Sequence, residues 1–176
     1  MRIGIFYGSS TGNTEMAANK IKAELGELIP DAVRDVAKAA PAELAEYDVL
    51  LLGCSTWNIG EMQDDWADFL PKLDQVDLTG KKVAMFAMGD AVGYPYNFLD
   101  ALGELWQKVE SRGASLIGVW PTDGYDFHES TGMFDEGHFL GLGLDEDNEP
   151  GMTDDRIHGW LLQLVQELGF DVGAEV

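Results

Sequence analysis

Gly8-Ser9-Ser10-Thr11-Gly12-Asn13-Thr14 is the stretch that decides the fold. It joins an apolar, β-rich run, Ile3 to Tyr7, to a helical pattern, Asn13 to Leu25, in which Met16, Ala17, Ile21 and Leu25 recur near helical spacing. The loop holds four hydroxyls, two glycines and no charge. Backbone N–H groups at a helix start carry partial positive charge and point outward, which suits a phosphate. Hydroxyls add donors, and glycine lets the chain come close. A well-capped helix after a flexible turn would use the same residue types. Three residues separate Gly8 from Gly12, and Asn13 follows, whereas a nucleoside-triphosphate loop needs four residues and a Lys. A Rossmann GxGxxG is absent as well. The nearest downstream cation is Lys20, about 10 Å up the helix at ~1.5 Å per residue. A phosphate here is held by neutral donors, which fits the terminal monophosphate of a resident cofactor better than a triphosphate with Mg²⁺ and Lys.

Working outward, β-rich runs alternate with helical patterns. Ala32 to Val36 reads as a weak second strand, and Val49 to Cys54 as a third, apolar on both faces. Trp66, Phe69, Leu70 and Leu73 mark a helix, and Val83 to Met88 is the fourth strand. Phe98, Leu99, Leu102, Leu105, Trp106 and Val109 mark a long helix closed by Gly113. Leu116 to Trp120 reads as the fifth strand. Thr153 is the expected cap of a last helix whose apolar face is Ile157, Trp160, Leu161, Leu164, Val165 and Leu168. Strands alternating with helices imply βαβ units and a parallel sheet with right-handed crossovers. One stretch is out of rhythm. The roughly thirty residues from Pro121 to Gly151 are rich in Gly and acidic residues, which is too long for an ordinary loop. They read as an insertion, with Phe139 to Leu144 resuming an interrupted edge strand.

Composition narrows the classes. The 176 residues fit one domain, 1–176, and 45% are hydrophobic, which opposes disorder. No apolar run approaches the roughly 20 residues that span a bilayer, and Met1 to Tyr7 does not read as a signal peptide. A cytoplasmic protein is expected. Eleven Lys+Arg against 32 Asp+Glu leave a net charge of −21. That field repels nucleic acid and anionic membranes and steers the chain to a basic partner; solubility alone would also account for it. Cys54 is the single cysteine, so neither an intramolecular disulfide nor a cysteine metal site can be built, and it reads as a buried small hydrophobe. Asp145, Asp147 and Glu149 alternate like a calcium loop, but Pro150 replaces the needed Gly and Arg156 the final Glu. No metal is expected.

Two further loops leave neighbouring strand ends. Cys54-Ser55-Thr56-Trp57-Asn58-Ile59-Gly60 follows the third strand and Gly89-Asp90-Ala91-Val92-Gly93-Tyr94 the fourth. In an open α/β sheet, ligands bind outside the carboxyl ends of the strands. Trp57 and Tyr94 would then share an edge with the phosphate loop, where a planar ring between them gains burial and stacking. Two aromatics at a protein interface would look the same in sequence.

Phe6 to Thr14, Thr56 to Gly60 and Gly89 to Tyr94 together resemble the phosphate loop and the two flavin loops of flavodoxins. The resemblance runs from Arg2 to Phe170. Thr122-Asp123-Gly124-Tyr125-Asp126-Phe127 and Leu144-Asp145-Glu146-Asp147-Asn148 are similar to the long-chain subgroup, whose extra loop interrupts the fifth strand. The resemblance implies a doubly wound five-stranded parallel sheet of order 2-1-3-4-5 and one non-covalently bound FMN. Ser9, Ser10, Thr11, Gly12, Asn13 and Thr14 would hold the phosphate. Trp57 and Tyr94 would flank the isoalloxazine, with Thr56 and Gly60 in the first ring loop. The backbone of Asn58-Ile59 would meet flavin N5, and Gly89 and Asp90 would lie near the pyrimidine edge. Asn97 and Asp147 would sit near the ribityl and ring region. Met88 departs from the family, whose members often carry Thr there.

The function implied is a low-potential electron carrier, not an enzyme, cycling mainly between semiquinone and hydroquinone. A peptide flip in the ring loop is easiest where positive φ is tolerated, as at Asn58 and Gly60 but not at β-branched Ile59. Glu61, Asp64, Asp65, Asp90 and Asp147 would disfavour the anionic reduced form. Glu61, Asp64, Asp65 and Asp68 would form either a solvated helix face or a docking surface. The implied partners of this monomer are basic-surfaced redox proteins such as ferredoxin-NADP reductase, pyruvate oxidoreductase or nitrogenase reductase. The alternative is a flavodoxin-fold NAD(P)H:quinone oxidoreductase, which needs an open face over the flavin. A phosphoacceptor signalling domain shares the fold but needs acids where Gly8 to Thr14 has none.

Overall fold

The computed structural model describes residues 1–29 and 31–170; the last six residues of the expected domain 1–176 lie outside them. In chain order the elements are β1 (Ile3–Tyr7), α1 (Asn13–Leu25), β2 (Arg34–Asp35), β3 (Val49–Trp57), β4 (Glu61–Met62), α2 (Asp64–Phe69), β5 (Lys82–Met88), α3 (Asp100–Ser111), β6 (Ser115–Leu116), β7 (Trp120–Pro121), β8 (Met133–Asp135), β9 (His138–Phe139), β10 (Leu142–Leu144) and α4 (Thr153–Glu167). Every residue of β1, seven of the nine in β3 and six of the seven in β5 are buried, so these strands can only lie in the middle of a sheet covered on both faces.

The main sheet runs β2-β1-β3-β5-β10, with all neighbours parallel. β6 pairs with Lys82–Val83 of β5 and β10 with Phe86–Met88, so they are the two halves of one edge strand. This is the expected order 2-1-3-4-5 with its last strand interrupted. The halves are shorter than the sequence suggests. Ser115–Leu116 ladders with β5 and Ile117 N still donates to Val83 O at 2.9 Å, but Trp120–Pro121 leaves to pair with β9. Gly118 turns the chain out with φ 78°, and a Cβ there would stand only 3.0–3.1 Å from Leu164, Ala84 and Trp160. Likewise His138–Phe139 belongs to a small antiparallel sheet, β7-β9-β8, and only Leu142–Leu144 rejoins β5. Gly141 permits the return: a Cβ there would stand 2.1 Å from Met85 O. The second strand also contracts, from Ala32–Val36 to Arg34–Asp35, because as an edge it pairs only with Phe6 and Tyr7.

Alternate residues of each central strand feed opposite faces. Phe6, Leu50, Leu52 and Met85 pack with Trp66 and Phe69 of α2 and Leu102 and Leu105 of α3. Ile3, Ile5, Leu51 and Phe86 pack with Ile21 of α1 and Trp160 and Leu164 of α4. Each such side chain stabilises the fold by roughly 1.5–3 kcal/mol through burial. The two fully buried indoles are also satisfied: Trp66 Nε1 donates to Gly53 O at 2.6 Å and Trp160 Nε1 to Gly118 O at 2.9 Å. α2 stops at Phe69 and tightens into a 3-10 segment, Leu70–Gln75, at Pro71, which cannot continue the helical ladder. Thr153 is the first residue of α4 rather than its cap; Met152 holds the cap position and the Thr153 hydroxyl donates to Glu146. Cys54 is fully buried as expected, and burial pushes its thiol up to about 12. No helix among the described residues is long and apolar enough to cross a membrane.

Candidate functional site

The β1–α1 loop is shaped by its two glycines. A Cβ on Gly8 would stand 2.3 Å from Gln63 Oε1 and 2.7 Å from Trp66 Cδ1. Gly12 sits at the cap of α1 with φ 94°, and no side chain bonds the helix start. The first-turn N–H groups of α1 are therefore left without a side-chain cap at the positive end of the helix, with Glu15 the acid of that turn. Ser9 Oγ accepts from Gly12 N at 3.0 Å and Ser10 Oγ from Gln63 Nε2 at 3.1 Å. Gln63, itself 1% exposed, also accepts from Trp66 N at 3.3 Å, so α2 holds the loop from behind. Thr11, Asn13 and the buried Thr14 line a cavity of about 420 Å³ beyond it.

The second wall comes from the β3–β4 hairpin, where Trp57 pairs with Glu61 and Asn58-Ile59-Gly60 make the turn. Asn58 has φ 49° and Gly60 φ 95°, while Ile59 stays outside the left-handed region, as its branching requires. Trp57 Nε1 donates to Ser55 Oγ at 2.9 Å, which fixes the indole; Thr56 Oγ1 accepts from Ala101 N at 3.1 Å. Ser55, Thr56, Trp57 and Asn58 line the cavity. Ile59 projects into solvent, 73% exposed.

The third wall joins the loops after β5 and β10. Met88, Gly89, Asp90 and Tyr94 line it from one side, Glu146 and Asp147 from the other. Asp145, 1% exposed, lies beneath: its Oδ2 accepts from Ala91 N at 3.0 Å and its Oδ1 from Asn148 N at 3.1 Å. Oxygens of Asp90, Asp145 and Asp147 all lie within 4.8 Å of one another. Their effects on acidity differ. Asp147 is exposed, but partial loss of hydration at the wall raises its carboxyl, and Asp90, Asp145 and Glu146 add to the rise. Loss of hydration works the same way on Asp90 but is outweighed by donors from Gly93, Asn148 and Val92, leaving its carboxyl below the usual range.

Thr11, Asn13, Thr14, Thr56, Trp57, Asn58, Gly89, Asp90, Tyr94 and Asp147 are thus brought together around one cavity at the carboxyl ends of the strands. Ser9, Ser10, Gly12, Ile59 and Gly60 shape its loops without lining it. Asn97 is not in the wall; its Nδ2 donates to Asp100 Oδ2 at 3.1 Å. Sequence reasoning passed over Ser55 and Glu146, although both stand inside the stretches already singled out. Gln63 and Asp145 act from beneath, and nothing local in the sequence marks a polar residue as buried. The cavity is of small-molecule size, within roughly 300–1,000 Å³. Its wall presents two aromatics, neutral hydroxyls, the start of α1 and three acids, and no Lys or Arg.

A family model described as flavodoxin matches residues 5–160. Flavodoxin 1 of Escherichia coli is 48% identical over 168 residues, covering 96% of this chain and 95% of its own length. The flavodoxin of a Nostoc species is also 48% identical over 168 residues, covering 96% and 98%. Among solved structures, Fusobacterium nucleatum flavodoxin bound to flavin mononucleotide superposes with a TM-score of 0.87 at 30% identity, covering 94% of this chain and 98% of that one. Oxidised flavodoxin 2 of Bacillus cereus gives 0.69 at 28% identity, covering 95% and 99%. By matched length, identity and fold, the chain belongs to the flavodoxin family.

Proposed function

We propose that residues 1–176 form a single domain that holds one FMN non-covalently and carries electrons between larger redox proteins. The observation that carries this reading is the pairing, in one cavity, of an uncapped helix start with two aromatic side chains. FMN fits the donor set: a phosphate would take the uncapped helix-start N–H groups and the hydroxyls of the Ser9 to Thr14 loop, with Thr11, Asn13 and Thr14 in the cavity wall, and a flat ring would take Trp57 and Tyr94. When bound, FMN supplies reversible one-electron chemistry. The residues do the rest. Trp57, tethered to Ser55, and Tyr94 would exclude water from a bound ring. The Asn58–Gly60 turn would offer it backbone polar groups, with positive φ at Asn58 and Gly60 the two positions that tolerate rotation of the peptide plane. Asp90 and Asp147 keep negative charge at the same end of the cavity, which lowers the affinity for an added electron.

The partners we infer are redox proteins with basic docking surfaces, in the class of ferredoxin-NADP reductase, pyruvate oxidoreductase or nitrogenase reductase, met in the cytoplasm by a monomer. The net charge of −21 supports this through electrostatic steering. The test is a visible spectrum of the purified protein during stepwise anaerobic reduction with dithionite. Oxidised-flavin bands that give way to a broad long-wavelength band and then bleach are expected. A colourless protein that cannot be reconstituted with FMN would end the proposal. Reduction in one two-electron step, with rapid reoxidation by quinone, would replace it with an oxidoreductase.

A further inference from the structure

Among the described residues, two that are not glycine hold left-handed backbone: Asn58 (φ 49°) and Leu99 (φ 59°). Leu has no local hydrogen bond to offset that conformation, so the surrounding structure must impose it. The two residues flank one contact. A Cβ added to Gly60 would stand 2.7 Å from Asp100 Oδ2 and 3.4 Å from Asn97 Nδ2, so the cavity's turn lies flush against the first residue of α3.

The Asp100 carboxylate is itself held from two sides. Oδ2 accepts from Asn97 Nδ2 at 3.1 Å, and Oδ1 accepts from Thr131 N at 2.7 Å. Thr131 and Gly132 belong to the long insertion and lie tight on the helix start. A Cβ on Gly132 would stand 2.3 Å from Leu99 O, and one on Gly103 2.5 Å from Thr131 O. The next residue, Ala101, donates to Thr56 Oγ1 at 3.1 Å, one residue before Trp57. Neither Asp100 nor Asn97 nor Thr131 reaches the cavity wall.

We propose that Asp100 is a positioning residue: its carboxylate braces the Asn58–Gly60 turn against the Thr131–Gly132 strap, so that the insertion sets the shape of the cavity's Trp57 wall. The inference rests on the FMN-binding reading above. A turn moving toward α3 runs Gly60 into the Asp100 carboxylate. A backbone donor and a side-chain donor hold that carboxylate in place. A brace favours whichever redox form suits the arrangement it holds, and a potential shifts only by such a difference in affinity. Loss of the brace frees the turn to take whichever arrangement suits the reduced form, which eases uptake of the first electron. Asn97 acts on the site through Asp100 rather than by contact.

The experiment compares flavin-loaded wild type with Asp100→Ala, Asp100→Asn, Asn97→Ala and the Asn97→Ala/Asp100→Ala double variant. FMN release on dilution is read by flavin fluorescence, and the first midpoint potential by spectroelectrochemistry. Asp100→Ala is expected to bind FMN about tenfold more weakly, the scale of a lost charge-assisted hydrogen bond, and to take the first electron at a higher potential than Asp100→Asn, which loses the same charge but keeps the acceptor. Asp100→Asn keeps an acceptor for Thr131 N, so it folds and recovers part of the affinity. The double variant binds no more weakly than Asp100→Ala alone, within about a factor of two. Variants that lose thermal stability but keep the wild-type potential overturn the proposal, as do additive losses from the two single changes. A wild-type chain that takes up no FMN defeats the function reading instead, which separates the two failures.

Discussion

The side-chain amide of Asn148 donates to Asp90 Oδ1 at 2.8 Å, joining two loops of the cavity across 58 positions of sequence. The same amide reaches both oxygens of Asp145, whose Oδ2 also takes the N–H of Ala91. Asp145 is therefore the buried half of a clasp that closes the third wall. Replacing it by Ala strands Ala91 N and frees Asn148, and is expected to cost about 2–3 kcal/mol of stability and to weaken FMN binding. Asn148→Ala removes only the outer link and should cost about 1 kcal/mol. Urea unfolding with a parallel FMN titration measures both; equal losses for the two variants would contradict the assignment.

The two acids that line this end of the cavity should respond oppositely to pH. Asp147 binds its proton more tightly folded than unfolded, because partial loss of hydration and then Asp90, Asp145 and Glu146 raise it. Its charged form opposes folding, and that penalty disappears as pH falls through the raised pKa. Asp90 is lowered despite its burial, so its contribution is present above the unfolded carboxylate pKa and lost as pH falls through the folded one. Asp147→Asn should therefore raise the melting temperature at pH 7 with a gain that fades in acid. Asp90→Asn should lower it at pH 7. Thermal unfolding between neutral and acid pH checks the signs, and parallel profiles for the two variants would count against the clustered geometry.

Gly8 and Gly12 separate contact from torsion within one loop. Nothing lies within 4 Å of a Cβ on Gly12, so Gly12→Ala meets only the strain of φ 94°, about 1 kcal/mol. Gly8→Ala drives a methyl into Gln63 and Trp66 and should cost more, about 1–3 kcal/mol. Because Gln63 holds Ser10, Gly8→Ala should also loosen phosphate binding. Chemical denaturation of both variants tests the ranking.

Cys54 should be silent toward thiol reagents in the folded protein. It is fully buried, and burial raises its thiol to about 12, far from ionisation at neutral pH. Labelling with a chromogenic disulfide should proceed only at the rate of unfolding, then reach one equivalent in denaturant. Fast labelling of native protein would show that β3 opens locally.

Where the sequence was legible, a local rule and a global one agreed. The start of α1 at Asn13 follows from a glycine that can take positive φ and a helical stripe behind it. The opposite backbone preferences of Asn58 and Ile59 were readable from branching alone. The edge strand was harder. Val119 and Trp120 are as apolar as Leu116, yet Gly118 turns the chain away from β5 and Trp120 pairs into the three-stranded side sheet. No residue marks a two-residue strand such as β9 apart from a loop. Leu99 gave no signal of its left-handed backbone, and Gly132, which packs closely on its carbonyl, lies in a distant segment. Asn97 was placed near the ribityl and ring region by the family resemblance; in the structure its amide donates to Asp100, a partner that its sequence position does not announce.

The divided edge strand has a consequence for the order in which the molecule assembles. β6 follows α3 directly and can join β5 as soon as that helix docks, whereas β10 arrives only after the 25 residues between Leu116 and Leu142 have closed their loop. Closing a loop of that length costs on the order of 3 kcal/mol in chain entropy before any pairing repays it. Pulsed hydrogen exchange during refolding would see this at two amides: Ile117, bonded to Val83 O, should gain protection before Gly89, bonded to Leu144 O. The half of the sheet far from the cavity is then finished first, and the half that carries Asp145 to Asn148 swings in last. A flavin arriving early meets a folded frame with one wall still open.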